Sequence, residues 1–191
     1  MDKELAEVRR RDRAQEDGWI RAALGQAPYG FTATVRDGQP FINSNLFLYD
    51  EARHAIYIHT ARVGLTKENV EGHERVCFSV AAMGRLLPAD EALEFSVEFA
   101  GVTVFGAAHV VADPGEKTEA LQKLLDRYAP HLQSGRDYRP ITEGELKRTT
   151  VMRIDIDAWS GKQKVEVAGF PGAFELPGMG VFPWGPSDPP P

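Results

Sequence analysis

Residues 31–49 read FTATVRDGQPFINSNLFLY, and the period of the stretch is two. β-Branched and aromatic side chains alternate with small or polar ones on both sides of Asp37-Gly38, a dipeptide that supplies the positive φ angles of a tight hairpin. Two antiparallel strands follow from this. The same pattern recurs further along. YDEARH turns into the run AIYIH (55–59), a helix-like segment over 66–73 comes next, and RVCFSVAAM (75–83) follows. LEFSVEFAGVTVFGAAHVVAD (93–113) is long and rich in Val and Phe, with Gly101 and Gly106 placed where a bulge or bend relieves curvature. TVMRIDIDAW (150–159) sets Met152, Ile154 and Ile156 against Arg153, Asp155 and Asp157. About six hairpin-connected strands predict a mainly β protein, a six-stranded antiparallel barrel with peripheral helices.

Three segments fall outside the strand pattern. Residues 3–24 space Leu5, Val8, Trp19, Ile20, Ala23 and Leu24 among charges in a way closer to a helix than to alternation. Pro114 opens PGEKTEALQKLLDRYA, whose Leu121, Leu124, Leu125 and Tyr128 share a face before Pro130 ends it. From Phe170 the chain is dense in Pro and Gly yet carries Phe174, Met179, Phe182 and Trp184, which reads as an arm laid over another surface. The expected division is a barrel domain with its N-terminal helix over 1–168 and an arm over 169–191.

A chain of 191 residues, 42% hydrophobic, has material for one core. Its net charge of −6 argues against a general affinity for nucleic acid or anionic membrane, so any anion site must be local. Arg9, Arg10, Arg11 and Arg13 are surrounded by Glu4, Glu7, Asp12, Glu16 and Asp17, the pattern of an ion-paired solvated face. Cys77 stands alone, which excludes a disulfide framework and reads as an inert buried thiol. The first residues are too charged for a signal peptide and no apolar run reaches membrane length, so a cytoplasmic protein is expected.

No nucleophile elbow, Walker loop, G-x-G-x-x-G after a strand or H-E-x-x-H helix is present, and the five histidines lack metal-ligand spacing. No metal site is expected. One place stands out: IYIHTARVGLTKEN, residues 56–69. Thr66 reads as the N-cap of a helix beginning at Lys67, and the free N–H groups of such a first turn, with Lys67 and the Thr60 hydroxyl, would suit a phosphate. On spacing alone, a simple cap beside a solvated lysine is the stronger reading.

The flanking motifs shift that balance. Gly38-Gln39-Pro40, Tyr57-Ile58-His59-Thr60-Ala61, Gly64 to Lys67 with Asn69, Arg75-Val76-Cys77-Phe78, Val102-Thr103-Val104-Phe105-Gly106 and Ile156 to Lys162 occur in that order. Together they resemble the pyridoxamine 5′-phosphate oxidase-like superfamily of FMN-binding split barrels, in the branch related to nitroimidazole-resistance proteins, over roughly residues 5–165. The resemblance implies a homodimer with FMN at the subunit interface. It implies that Thr60, Thr66 and Lys67 hold the FMN phosphate, and that Asn43, Ser44 and Asn45 line the ribityl chain and ring edge. His59 and Ala61 would be cofactor neighbours, with His59 the candidate acid or base, and Trp159 would come from the opposite subunit. The implied activity is an FMN-dependent oxidoreductase acting on a small molecule, nitro-aromatic reduction among the possibilities; a non-catalytic flavin-binding protein, or a barrel using haem or a deazaflavin, are the alternatives. True pyridoxamine phosphate oxidases follow the tryptophan with an arginine and histidine that grip the substrate phosphate. Here Ser160-Gly161-Lys162-Gln163 follows, so activity on vitamin B6 phosphates is not expected.

Overall fold

The computed structural model describes residues 3–175. Two short 3-10 turns, Lys3–Ala6 and Arg11–Arg13, precede strand β1 (Ala14–Gln15) and helix α1 (Asp17–Gln26). Then come β2 (Gly30–Arg36), β3 (Gln39–Asn45), β4 (Phe47–Asp50), β5 (Ala55–Ala61), α2 (Leu65–Gly72), β6 (Arg75–Leu87) and β7 (Ser96–Val110). Helices α3 (Pro114–Tyr128) and α4 (Glu143–Arg148) lead into β8 (Thr149–Lys164). The strands form one mainly antiparallel sheet in the order β3-β2-β6-β7-β8-β5-β4, with β1 added to β8.

Eight strands replace the expected six. The run PFINSNLFLY is two strands rather than one: Asn45 still pairs with Gly30 of β2, whereas Phe47 pairs with Ile58 of β5. The change of partner falls on exposed Leu46, so one extended run supplies both ends of the strand order. The eighth strand is β1, whose Ala14 and Gln15 pair with Lys162 and Gly161. The hairpin turn agrees with its sequence, Asp37 and Gly38 having φ of 51° and 79°.

The N-terminal helix expected over 3–24 begins only at Asp17. Arg10 grips Asp12 through Nε and Nη2 at 2.8 and 2.7 Å, a pairing two residues apart that an α-helix would point to different sides. Only the later part of the pattern is helical, and α1 buries Ile20, Ala23 and Leu24.

The chain divides into two compact units. One comprises Pro28–Phe78 and Val104–Ala158. Within it β5 lies between β4 and β8, and its two faces are packed differently. Ala55 and Tyr57 join Val111, Ala120 and Val151 in a cluster capped by Leu121 of α3. Ile56 and Ile58 lie on the other face with their β8 partners Ile154 and Met152, all essentially fully buried. On α3, Asp113 caps by accepting from the Glu116 N–H at 2.7 Å, and Pro114 occupies the first turn. The helix is fastened to β5 by the Tyr57 hydroxyl donating to Glu116 at 2.6 Å, and by Arg53 and Lys123 bridging Asp50 and Glu119. Burial and the Glu116 hydrogen bond push the Tyr57 phenol upward. Gly106 of β7 is required by a close approach, since a Cβ there would collide with the Asp155 carbonyl oxygen.

The other unit comprises residues 3–27, 79–103 and 159–175 of the described chain. Its polar centre is Arg85 and Glu98. Arg85 donates from Nε to Glu98 Oε2 at 2.9 Å and from its terminal nitrogens to the carbonyls of Glu166, Val167 and Ala168, while the Glu166 N–H donates to Glu98. Hydrogen bonding from Arg85, against the opposing effect of burial, holds the Glu98 carboxyl down to about 2. Leu86 and Phe174 then exchange backbone hydrogen bonds at 2.8 and 3.0 Å, so the start of the arm is paired along β6. Met179, Phe182 and Trp184 lie outside the described residues.

Candidate functional site

The polar side chains of β2 and β3 converge on the start of α2. Thr32 and Thr34 are buried, although they stand on a strand where apolar residues would be the usual choice. Parity explains what they meet: Thr32 is opposite Asn43 and Gly30 opposite Asn45, so Asn43 and Asn45 share the face of the two threonines. The Thr32 hydroxyl donates to Asn45 Oδ1 at 3.2 Å, and Asn43 Nδ2 reaches Thr66 Oγ1 at 3.4 Å. One turn further along α2, Asn69 Nδ2 donates to Thr34 Oγ1 at 2.9 Å. Asn69 Oδ1 is buried without a partner. A buried amide oxygen left unbonded costs stability.

Thr66 is not the N-cap expected of it. The cap is Gly64, with φ 148° and no capping side chain, and Thr66 is a buried residue of the first turn whose hydroxyl oxygen accepts from Asn43 Nδ2. No side-chain cap occupies the helix N–H groups that an anion needs. Lys67 Nζ lies 2.7 Å from Glu71 one turn away, a half-exposed pair of the weak surface kind. Arg36 pairs with Glu68 at 3.0 Å on the same flank. In the register Phe47↔Ile58, Thr60 lies two residues beyond the pair and Asn45 two residues before it, which sets both at one end of β4 and β5.

The other expected residues point elsewhere. Ser44 is opposite Phe31 and exposed, on the reverse face from Asn43 and Asn45. His59 and Ala61 are exposed and share a face with Tyr57, opposite to that of Thr60. His59 instead lines a cavity of about 550 Å³ formed with α3 and the chain from Tyr138 to Thr149. Its walls are mainly Leu46, Leu121, Leu124, Leu125 and Ile141, with Arg139 among the polar residues. Trp159 belongs to the second unit, where its indole N–H donates to Asp17 at 2.9 Å and the Arg21 guanidinium lies 5.6 Å from the ring.

Thr32, Thr34 and Asn69 join the cluster without having been assigned to it from sequence. Their signal was present as T-x-T on the inward parity of a hairpin strand, followed by an Asn at the helix position three residues after Thr66. Cys77 is half-buried and its thiol is pushed up by burial, the state of an unreactive sulfur. Among the described residues no His, Cys, Asp or Glu group is arranged to hold a metal ion, and no helix is long and apolar enough to cross a membrane.

A family model described as pyridoxamine 5′-phosphate oxidase matches residues 16–163. Comparison with curated proteins finds no match. Among solved structures, the flavocytochrome Anf3 from Azotobacter vinelandii is similar at 22% identity and TM-score 0.74, over 97% of this chain and 87% of that one. An FAD and haem binding protein from Mycobacterium smegmatis is similar at 26% identity and TM-score 0.71, over 81% of this chain and 74% of that one. A proposed 5-nitroimidazole antibiotic resistance protein from Bacteroides thetaiotaomicron is similar at 19% identity and TM-score 0.65, over 78% and 84%.

Proposed function

The chain belongs to the pyridoxamine 5′-phosphate oxidase family, and we propose on that footing that it is an FMN-dependent oxidoreductase acting on a small molecule. The observation that carries the reading is the helix start at Gly64, free of a side-chain cap, with Thr66, Lys67 and Asn43 beside it. A flavin phosphate is dianionic or nearly so and needs backbone donors, hydroxyls and one cation at one end of its site. Leu65 to Lys67 offer the donors, and Lys67 leaves a weak pair with Glu71 to supply the cation. Asn43, Asn45 and Asn69 present amide groups on the same side, suited to ribityl hydroxyls and a ring edge that both donates and accepts. The residues therefore fit the group.

Bound flavin supplies the hydride and electron transfer, and the protein's part is to hold and orient it. No side chain of the corner is placed as an acid or base, and His59 faces away from Thr60. The chain after Trp159 supplies no arginine and histidine pair, so a vitamin B6 phosphate is not the proposed substrate; an electron-poor molecule such as a nitro-aromatic is. FMN titrated into flavin-free protein should lose fluorescence on binding. Lys67→Ala should weaken that binding about tenfold, the effect of one charge-assisted contact of ~1.4 kcal/mol. Unchanged affinity in the variant would remove the phosphate from this corner.

A second reading adds haem to the flavin. It is supported by the 26% identity to a protein named for binding FAD and haem, and by the apolar cavity that His59 lines. Under it, extracted cofactor would contain FAD and protohaem in place of FMN alone.

A further inference from the structure

Two cations flank the start of α2, and each is held by a carboxylate of that helix. Arg36 Nη1 lies 3.0 Å from Glu68 Oε2, and Lys67 Nζ lies 2.7 Å from Glu71 Oε1. Glu68 and Glu71 are three residues apart, so they share one side of α2. Arg36 reaches that side from the end of β2, where it keeps the parity of Thr32 and Thr34 and pairs with Gln39 next to the hairpin turn. The two threonines are buried and Arg36 is exposed, so this face of β2 runs from a neutral floor to a charged rim. On α2 itself, Asn69 is 3% exposed and its Oδ1 has no partner, which leaves the corner one donor short. The Arg36 and Glu68 side chains are 53% and 48% exposed, a setting in which an ion pair adds little to stability. Either cation can therefore change partner at small cost.

We propose that Arg36 is a second phosphate ligand of the flavin corner, and that Glu68 and Glu71 make the corner select a terminal phosphate monoester over the diphosphate of a dinucleotide, an inference that rests on the flavin reading above. A terminal monoester is close to dianionic at neutral pH and offers three oxygens, whereas each phosphate inside a diphosphate bridge carries a single charge. Two cations match two charges. Lys67 supplies one as a point charge, and the planar Arg36 guanidinium supplies the other with paired donors that meet two oxygens together. Once both have turned to the phosphate, Glu68 and Glu71 are left uncompensated on the same flank. A second phosphate brought there by a dinucleotide meets like charge at short range and is repelled. Glu68 also sets the strength of the site, because it competes with the ligand for Arg36.

Calorimetric titration of riboflavin, FMN and FAD into flavin-free protein tests the assignment. Wild-type protein is expected to bind FMN more tightly than FAD by about tenfold or more. Arg36→Gln is expected to weaken FMN about tenfold, the effect of one charge-assisted contact, and to leave riboflavin within about twofold. Glu68→Gln is expected to tighten both FMN and FAD, FAD the more, and the gain for FMN is expected to vanish when Arg36→Gln is added. A merely structural role for either side chain does not produce that coupling. Both positions are exposed, so the variants keep the core intact. FMN affinity left unchanged by Arg36→Gln, or FAD bound as tightly as FMN by the wild-type protein, would overturn this assignment and keep the flavin corner. Binding of none of the three flavins would overturn the flavin reading, and the assignment with it.

Discussion

Asn69 shows how a single amide ties strand to helix. Its Nδ2 bond to Thr34 is made and its Oδ1 is left over, so Asn69→Ala removes one buried hydrogen bond and one unsatisfied acceptor together. The two effects oppose each other, and the net loss should be about 1 kcal/mol in urea unfolding of flavin-free protein. A loss above about 3 kcal/mol would mean that Oδ1 has a partner in the folded state. At this scale the sequence was partly legible. The period of two, applied strictly, separates Ser44 from Asn43 and Asn45 and His59 from Thr60, yet the motif resemblance groups them because it orders residues without facing them. The Gly64 cap was not legible, because a glycine in a turn does not announce which residue ends it and which begins the helix.

At the scale of elements, α3 and β7 were readable because their signals are local: a proline in the first turn, an apolar face, a long β-branched run. The split of β3 from β4 was not, because Leu46 is an ordinary strand residue and only the identity of the distant partner strand divides the run. The α3 cap is testable by Asp113→Ala, expected to cost about 1 kcal/mol, with a smaller change if Glu116 is recruited elsewhere. The Arg85 and Glu98 pair governs how the start of the arm is held. Glu98 has its folded pKa depressed to about 2 from the ordinary glutamate value of 4.5, so its stabilisation is complete above about 4.5 and is lost as pH falls from there toward 2. Glu98→Gln should therefore lower stability at pH 7 by about 3 kcal/mol, as breaking a buried pair does, with the deficit shrinking as pH falls toward 2. A deficit that stays constant from pH 7 to pH 2.5 would show that the carboxylate charge is not what matters.

For the whole molecule, fold class and superfamily were legible from ordered motifs, and the matching family model spans most of the described chain. The resemblance that those motifs carry also implies two subunits. We propose a homodimer with the flavin at the interface. The outward face of the β2–β3 hairpin supports it, since Phe31 and Ile42 are 39% and 64% exposed on one face, an apolar patch of the kind that marks association. Light scattering after size exclusion should give twice the chain mass, and Ile42→Lys should shift the protein toward monomer with weaker flavin retention; a wild-type monomer that holds flavin would contradict the shared site.

The Gly64 helix start and its polar neighbours are the proposed flavin site. The absorption spectrum of the protein as isolated, followed by chromatography of the released cofactor, tests it directly. Flavin bands near stoichiometry with FMN released are expected, together with loss of that flavin in Lys67→Ala combined with Asn43→Ala. Protein that is colourless as isolated and fails to quench added FMN or FAD would contradict it.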